Sequence, residues 1–322
     1  MDPKLSTSPN LPGDDPDLAD GVEGGARPGP GGTPGTESEP VPQHGGPGRI
    51  VLAATPIGNA GDATYRLVEL LTTADIVAAE DTRRLHRLVQ NLGITVAGRI
   101  ISYHEHNEAA KTGELLDQVR SGKTLVMVTD AGMPSVSDPG FRLVEGAVAA
   151  GLTVTAAPGP SAVLTALALS GLPTDRFCFE GFLPRKAGER ASRLADLDAE
   201  RRTMIFFEAP HRLEPMLRAL RERFGADRRA AVCRELTKTY EEVIRGTLRE
   251  LLEWAESNEV RGEIAVVVGG APEREPGTPE DHVADVNALI AQGIRLKEAV
   301  AAVAEDARVS KRELYSAVLA AR

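Results

Sequence analysis

The chain has 322 residues, of which 42% are hydrophobic and 26% are charged, values ordinary for a globular protein of about two domains. Two cysteines, Cys178 and Cys233, exclude a disulfide scaffold and a zinc site built from several thiolates. They indicate a reducing, cytoplasmic location. The net charge of −10, from 37 basic and 47 acidic residues, argues against a wholly cationic coat protein for nucleic acid.

The first 48 residues differ in composition from the rest. They hold ten prolines, eleven glycines and no aromatic residue, and they carry eight acidic but only two basic residues. Such a stretch buries too little apolar surface to offset the entropy of ordering. We therefore predict that residues 1–48 form a disordered tail without a role in the chemistry. The remaining 274 residues are close to neutral, so a local basic face for an anionic partner stays open.

From residue 49 to residue 158, short apolar runs alternate with helical spacing. This alternation predicts βαβ units and a parallel sheet covered on both faces. The predicted strands are 50–54, 75–79, 99–103, 124–128 and 152–156, and the predicted helices are 64–71, 82–92, one ending near 120, and 141–150.

Residues 159–270 predict a second α/β domain. Its strands are 177–182, 203–207, 229–234, 241–246 and 263–268, and its helices are 161–169, 191–200, 212–224 and 248–257. The third and fourth strands are joined by a short link, which predicts an antiparallel pair within a mixed sheet. The longest uncharged stretch, 152–174, is broken by Pro158 and Pro160, and its apolar part is too short to cross a membrane.

Residues 271–280 contain three prolines and predict a linker. Beyond it, 281–322 form a small helical module with helices at 283–291, 296–307 and 311–321. Ser310 followed by Glu313 is a capping-box pattern for the last helix. The last two helices resemble a helix-turn-helix. Five basic residues surround the turn: Arg295, Lys297, Arg308, Lys311 and Arg312. A solvated appendage, an RNA-binding module and a dimer-stabilising module all fit this pattern.

Polar residues gather where the predicted parallel strands end, and ligands bind at that edge in open α/β sheets. Asp130 follows the fourth strand, two residues before Gly132. The glycine would let a ligand approach the backbone closely. A tight turn without a ligand explains the pattern equally well. Ser137 or Asp138 is suited to cap the following helix. The sequence PGPSA at 158–162 lies between the domains, either as a rigid linker or as one wall of a ligand cleft.

Charged residues follow two other strands. Glu80, Asp81, Arg83 and Arg84 share one turn, which fits either an ion-paired helix cap or a site for an anionic ligand. The segment HEHN at 104–107 lacks a third ligand with recognisable spacing, so we expect no metal. The chain contains no phosphate-binding G-x-x-x-x-G-K-[ST], no G-x-G-x-x-G after the first strand and no G-x-S-x-G elbow.

Nine short motifs occur in one order: TPIGN at 55–59, AEDTR at 79–83, TDAGMP at 129–134, SDPG at 137–140, PGPSA at 158–162, DRF at 175–177, EGFLP at 180–184, PHR at 210–212 and RELTK at 234–238. With this set the chain resembles the small-subunit ribosomal RNA methyltransferase I family, within the tetrapyrrole-methylase superfamily. The resemblance runs from about residue 49 to residue 270 and more weakly through the C-terminal helices. Met133 and Val136 stand where relatives commonly have other residues, and neither change removes a polar group.

The resemblance implies an S-adenosylmethionine-dependent 2′-O-methylation of a cytidine ribose in 16S rRNA, near the decoding centre of the small ribosomal subunit. It also implies two α/β domains of the tetrapyrrole-methylase type with the methyl donor in the cleft between them, and a homodimer. Neither a metal nor a membrane is implied.

Matched by position, the resemblance also suggests site residues. Those expected at the donor are Pro56, Asp130, Ala131, Gly132, Pro134, Ser161, Ala162, Phe207, Glu208, Glu263 and Ile264. From the charged and polar residues of the chain itself, those expected at RNA are Arg83, Arg84, His104, Asn107, Arg212, Lys238, Lys311 and Arg312. A ribose hydroxyl is a poor nucleophile, so a base should assist, and Glu80 is preferred over His211, with Asp81 and His104 as further candidates. A corrin or porphyrin methylase on the same fold and a non-catalytic RNA-binding module are the alternatives.

Overall fold

The computed structural model describes residues 47–272 and 277–321. The predicted disordered tail lies outside these ranges except for Pro47 and Gly48. Residues 273–276 of the predicted linker and the last residue also lie outside them.

The first sheet is wholly parallel, with the strand order β3-β2-β4-β1-β5. Its strands are β1 (Arg49–Ala53), β2 (Ile76–Ala79), β3 (Arg99–Ser102), β4 (Thr124–Val128) and β5 (Thr153–Ala157). Its helices are α1 (Tyr65–Thr73), α2 (Thr82–Asn91), α3 (Glu108–Arg120) and α4 (Phe141–Ala149). Alternate strand residues pack against α1 and α2 on one face and against α3 and α4 on the other. The predicted parallel sheet covered on both faces is confirmed.

The second sheet is mixed, with the strand order β6-β7-β10-β8-β9. Its strands are β6 (Phe177–Phe182), β7 (Thr203–Glu208), β8 (Arg229–Arg234), β9 (Glu242–Thr247) and β10 (Ile264–Val268). Its helices are α5 (Ala162–Ser170), α6 (Ala187–Asp196), α7 (Leu213–Phe224) and α8 (Leu248–Ser257). Helix α5 covers one face, and the other three helices cover the opposite face. The predicted antiparallel pair is β8 with β9.

Helix α6 differs from its prediction, because it begins at Ala187 and ends at Asp196 rather than spanning 191–200. Gly188 weakens the helical pattern of its first turn. An ion pair between Lys186 and Glu189 stabilises that turn. The Glu189 carboxylate also lies in the first turn, where the helix dipole favours negative charge.

The C-terminal module consists of α9 (Val283–Ala291), α10 (Leu296–Ala307) and α11 (Lys311–Ala320). These helices bury a core of their own that includes Val286, Val300 and Leu314. Ser310 accepts a hydrogen bond from the Glu313 amide at 3.4 Å, which is one half of the predicted capping box. Within the described ranges, no helix is long and apolar enough to cross a membrane.

Candidate active site

A cleft of about 450 Å³ lies where the carboxyl edge of the first sheet meets the second domain. Its volume suits a small-molecule ligand. The first domain contributes Ile57, Glu80, Arg84, Asp130, Ala131, Gly132, Met133, Val136, Ser137 and Asp138. The second domain contributes Ser161, Ala162, Val163, Phe182, Phe207, Glu208, Ala209, Pro210, Cys233, Leu236, Gly262, Glu263, Ile264 and Ala265.

The turn after β4 is held to the turn after β1 by a reciprocal pair of backbone hydrogen bonds. The Thr55 amide donates to the Gly132 carbonyl at 3.0 Å, and the Gly132 amide donates to the Thr55 carbonyl at 3.1 Å. The Thr55 hydroxyl also donates to the Thr129 carbonyl at 3.1 Å. Gly132 has φ of 81°, a left-handed conformation that favours glycine. The backbone beside Asp130 is therefore fixed where it borders the cleft.

The ends of β2 and β4 exchange hydrogen bonds through two cleft carboxylates. The Asp130 amide donates to Glu80 Oε2, and the Asp81 amide donates to Asp130 Oδ1, both at 3.2 Å. Arg84 Nε lies 3.2 Å from Asp130 Oδ2. Burial raises the pKa of both Glu80 and Asp130, and the nearby guanidinium of Arg84 opposes that rise. The two acids form a partly desolvated anionic pair with one cation.

The loop between β4 and α4 brings a third carboxylate, Asp138, to the cleft. Burial, followed by the charges of Glu80, Asp130 and Glu105, raises its pKa to about 7. The prediction that Ser137 or Asp138 caps α4 is wrong. The N-cap is Gly140, and no side chain caps that helix.

The second domain lines the cleft with a buried acid and aromatic rings. Glu208 is 3% exposed. Its Oε1 accepts from the Ala209 amide at 2.9 Å, whereas its Oε2 has no hydrogen bond and lies 3.4 Å from Arg212 Nη2. Phe207 beside it meets Phe182 edge to face. Glu208 is thus a buried acid in the cleft wall, held by the Ala209 amide and paired with Arg212.

Helix α5 begins at the cleft. Its N-cap is Ser161, whose hydroxyl accepts from the Leu164 amide at 3.4 Å. A helix N-terminus favours a negatively charged ligand group. Elsewhere in the second domain, Lys238 pairs with Glu235 at 2.8 Å and with Glu263 at 3.2 Å, which ties the β8–β9 link to the entry of β10.

Most of the residues predicted at the donor border the cleft, but not all of them do. Nine line it: Asp130, Ala131, Gly132, Ser161, Ala162, Phe207, Glu208, Glu263 and Ile264. Pro56 and Pro134 are not among its lining residues, and Pro134 is a buried residue of the β4–α4 loop. The position of Asp138 at the cleft was not predicted, although the SDPG motif after a parallel strand was the available signal.

The candidate bases are dispersed. Glu80 lines the cleft, but Asp81 does not. Asp81 instead caps α2, and its hydrogen bonds with Arg83 hold the pKa of its carboxyl well below the usual range. His211 is exposed in a neighbouring depression beside Phe182 and Arg212. His104 is held by the side chain of Asn107 in the turn after β3.

The basic residues predicted at RNA fall into two groups. Arg84, Arg212 and Lys238 make ion pairs beside the cleft, and Arg212 also donates to the Leu183 carbonyl at 2.8 Å. Arg83 is 82% exposed, although it pairs with Asp81. Lys311 and Arg312 are exposed in the C-terminal module. No cluster of three or more metal-ligating side chains occurs among the described residues.

The known proteins that resemble this chain include methyltransferases. Residues 49–252 match the family model of tetrapyrrole (corrin/porphyrin) methylases. The ribosomal RNA small subunit methyltransferase I of Mycobacterium tuberculosis strain H37Rv is 50% identical over 277 residues, covering 85% of this chain and 96% of that protein. The protein of that name from Escherichia coli O157:H7 is 41% identical over 274 residues, covering 84% and 95%.

Solved structures show the same fold. The methyltransferase CobJ matches with a TM-score of 0.54 at 23% identity, over 71% of this chain and 97% of that one. Uroporphyrin-III C-methyltransferase from Thermus thermophilus, solved with S-adenosylhomocysteine, matches with a TM-score of 0.50 at 18% identity, over 69% and 96%.

Proposed function

Because the chain belongs to the ribosomal RNA small subunit methyltransferase I family of tetrapyrrole methylases, we propose that it methylates a ribose of 16S rRNA. The methyl donor would be S-adenosylmethionine, and the acceptor would be the 2′-hydroxyl of a cytidine near the decoding centre. One observation carries the proposal: the cleft joins the Asp130–Gly132 turn of β4 to the N-terminus of α5 at Ser161.

The residues that line this cleft suit each part of the donor. The α5 N-terminus would receive the carboxylate of its methionine moiety. The carboxyl group of Glu208, which lines the cleft, would interact with the donor's amino group. Ile57, Val163 and Ile264 supply apolar surface for the adenine. When bound, the donor supplies an electrophilic methyl group on a cationic sulfur, and the acids Glu80 and Asp130 favour a cation nearby.

The chain's own contribution to the reaction is chiefly alignment. A methyl transfer to oxygen needs the acceptor oxygen, the methyl carbon and the sulfur in line, and holding reactants in that geometry supplies much of the rate. The hydrogen-bonded turns around Thr55, Gly132 and Asp130 keep one wall of the cleft fixed. Of the bases proposed from the sequence, Glu80 lines that wall, whereas His211 and Asp81 lie outside the cleft lining.

The remaining expectations belong to the same proposal. We infer a cytoplasmic homodimer that acts on the small ribosomal subunit, without a metal. Arg83 on α2 and the basic residues of the C-terminal module, Lys311 and Arg312, would contact RNA phosphates because their side chains are exposed.

Methyl transfer to isolated small subunits tests the proposal. Subunits from a strain that lacks this gene are incubated with the protein and donor carrying a labelled methyl group. A 2′-O-methyl group blocks alkaline cleavage at its own nucleotide, so we expect label in 16S rRNA together with one new gap in the alkaline ladder at a cytidine.

Other outcomes of this experiment identify the alternatives. Label on a nucleobase contradicts the ribose assignment. Transfer to a corrin or porphyrin but not to RNA favours the small-molecule methylase. Calorimetry that detects no donor binding at all favours the non-catalytic RNA-binding module.

A further inference from the structure

Five carboxylates line the cleft. They differ in whether another group of the protein already makes a hydrogen bond or ion pair with them. Four have a partner on the chain. Glu80 and Asp130 accept from backbone amides at 3.2 Å, Glu208 accepts from the Ala209 amide at 2.9 Å, and Glu263 lies 3.2 Å from Lys238 Nζ. The fifth is Asp138, whose carboxylate receives no hydrogen bond or ion pair from any residue in the described ranges.

Asp138 lies where the two domains approach each other. Its loop is closed by a hydrogen bond from the Ser135 amide to the Pro139 carbonyl at 3.3 Å. A side chain added at Gly181 in β6 would stand 3.8 Å from the Ser137 hydroxyl, so the loop lies directly against the second domain. A free acceptor is therefore held at the interdomain face of the cleft, on the side of Glu80 and Asp130.

Building on the function proposed above, we propose that Asp138 is the general base that takes the proton of the ribose 2′-hydroxyl. The hydroxyl proton passes to a carboxylate oxygen of Asp138. The electron pair of the hydroxyl oxygen forms the new bond to the methyl carbon while the bond between that carbon and sulfur breaks. The sulfur leaves as a neutral thioether, so charge and atoms balance. The carboxyl proton is then returned to water.

The surroundings of Asp138 suit this role. Burial raises its pKa to about 7, assisted by the negative charges of Glu80, Asp130 and Glu105. Arg84, which also lines the cleft, is engaged by Asp130. A base with a pKa near the working pH is ionised in a useful fraction and still accepts a proton readily. Glu80 shares the desolvated environment, but its carboxylate already accepts the Asp130 amide.

The test is single-turnover methyl transfer to small subunits at saturating donor, between pH 6 and pH 9. In the wild type the rate should rise with pH and level off above about 7. Asp138→Asn should lower the plateau by roughly 10²-fold or more and remove the pH-dependent limb. Its affinities for donor and for subunits should stay within about twofold, because neither depends on the proton transfer. Asp138→Glu should recover part of the rate.

Glu105→Gln is the matched control, since it removes one nearby negative charge from an exposed side chain. It should keep the wild-type plateau and move the limb to lower pH, because losing that charge lowers the pKa of Asp138. A wild-type rate in Asp138→Asn would overturn the inference. So would a larger loss in Glu80→Gln while Asp138→Asn stays active.

Failure of the proposed function is distinguishable from failure of this inference. The former would appear in the wild-type protein itself, as transfer to a nucleobase or to no RNA. The latter would leave wild-type ribose methylation intact and Asp138→Asn unimpaired.

Discussion

Arg84 holds its Nε 3.2 Å from Oδ2 of Asp130, so a cation from α2 reaches across to the end of β4. The partner atom Oδ1 accepts the Asp81 amide, and the Asp130 amide donates to Glu80. Both oxygens of Asp130 are thus engaged at the carboxyl edge of the sheet, and the ends of β2 and β4 are tied together. A ligand in the cleft meets a prearranged charge pattern rather than mobile side chains.

Asp130→Asn should weaken binding of S-adenosylmethionine by about tenfold or more, because hydrogen bonds to charged groups contribute more than neutral ones. The amide oxygen can still accept the Asp81 amide, so the melting temperature without ligand should change little. Titration calorimetry measures the affinity. An unchanged dissociation constant would remove Asp130 from the donor site.

Arg84→Met should make donor binding more sensitive to acid. Removing the guanidinium raises the pKa of Asp130 and of Glu80, since its charge opposes the rise caused by burial. The affinity should therefore fall more at pH 6 than at pH 8. Arg83→Met is the matched control, because its side chain is 82% exposed and pairs with Asp81 instead. Equal effects of the two substitutions on donor affinity would contradict this account.

Asp138→Asn should stabilise the folded protein at high pH. In the folded state the pKa of Asp138 is raised from 3.8 to about 7, so the folded state binds more protons between these values and stability falls as the pH rises. Asparagine avoids that loss. Thermal melts without donor should show a gain of about 2–4 °C at pH 8 that shrinks as the pH falls towards 4. A gain that does not depend on pH would point to another cause.

Deleting residues 275–322 should weaken binding to small subunits and flatten its salt dependence, if the C-terminal module contacts RNA phosphates. Donor affinity should persist, because the module buries its own core and contributes no residue to the cleft. The double variant Lys311→Ala/Arg312→Ala tests charge alone, since both side chains are exposed. It should flatten the salt slope by a smaller amount.

Sedimentation distinguishes RNA binding by the module from its alternative role, which is to stabilise a dimer. A module that only stabilises a dimer would, on deletion, change the sedimentation profile and leave the salt slope per protomer unchanged. If truncation alters neither the sedimentation nor the salt slope, the module is a solvated appendage.

The sheets and helices were largely predictable from sequence, because apolar periodicity reports burial directly. Helices α9 and α10 occupy their predicted residues, and the predicted strands agree within one residue at every end. The cleft was predictable to the extent that parallel strands place their carboxyl ends at one edge. Asp130 and Glu80, which follow predicted parallel strands, therefore line the cleft as expected.

Loop geometry explains what the sequence analysis missed. Ser135 and Ser137 have φ of 71° and 61°, conformations that non-glycine residues seldom adopt and that local propensity does not signal. Those backbone angles carry Asp138 to the cleft instead of the cap of α4. Asp81 is likewise engaged, because it caps α2 and pairs with Arg83. Its position near a strand end does not show whether its carboxylate is engaged or free.

The turn after β1 forms a direct contact between the two domains. The Asn59 amide donates to the Thr237 hydroxyl at 3.1 Å, across 178 positions of sequence. A Cβ at Gly58 would stand 2.4 Å from Lys238 Cγ and 2.9 Å from the Leu236 carbonyl oxygen. The motifs TPIGN and RELTK are therefore two halves of one steric contact. Over evolutionary time, a larger residue at position 58 should occur only together with changes in the 236–238 segment, since a side chain at position 58 alone would clash with that segment.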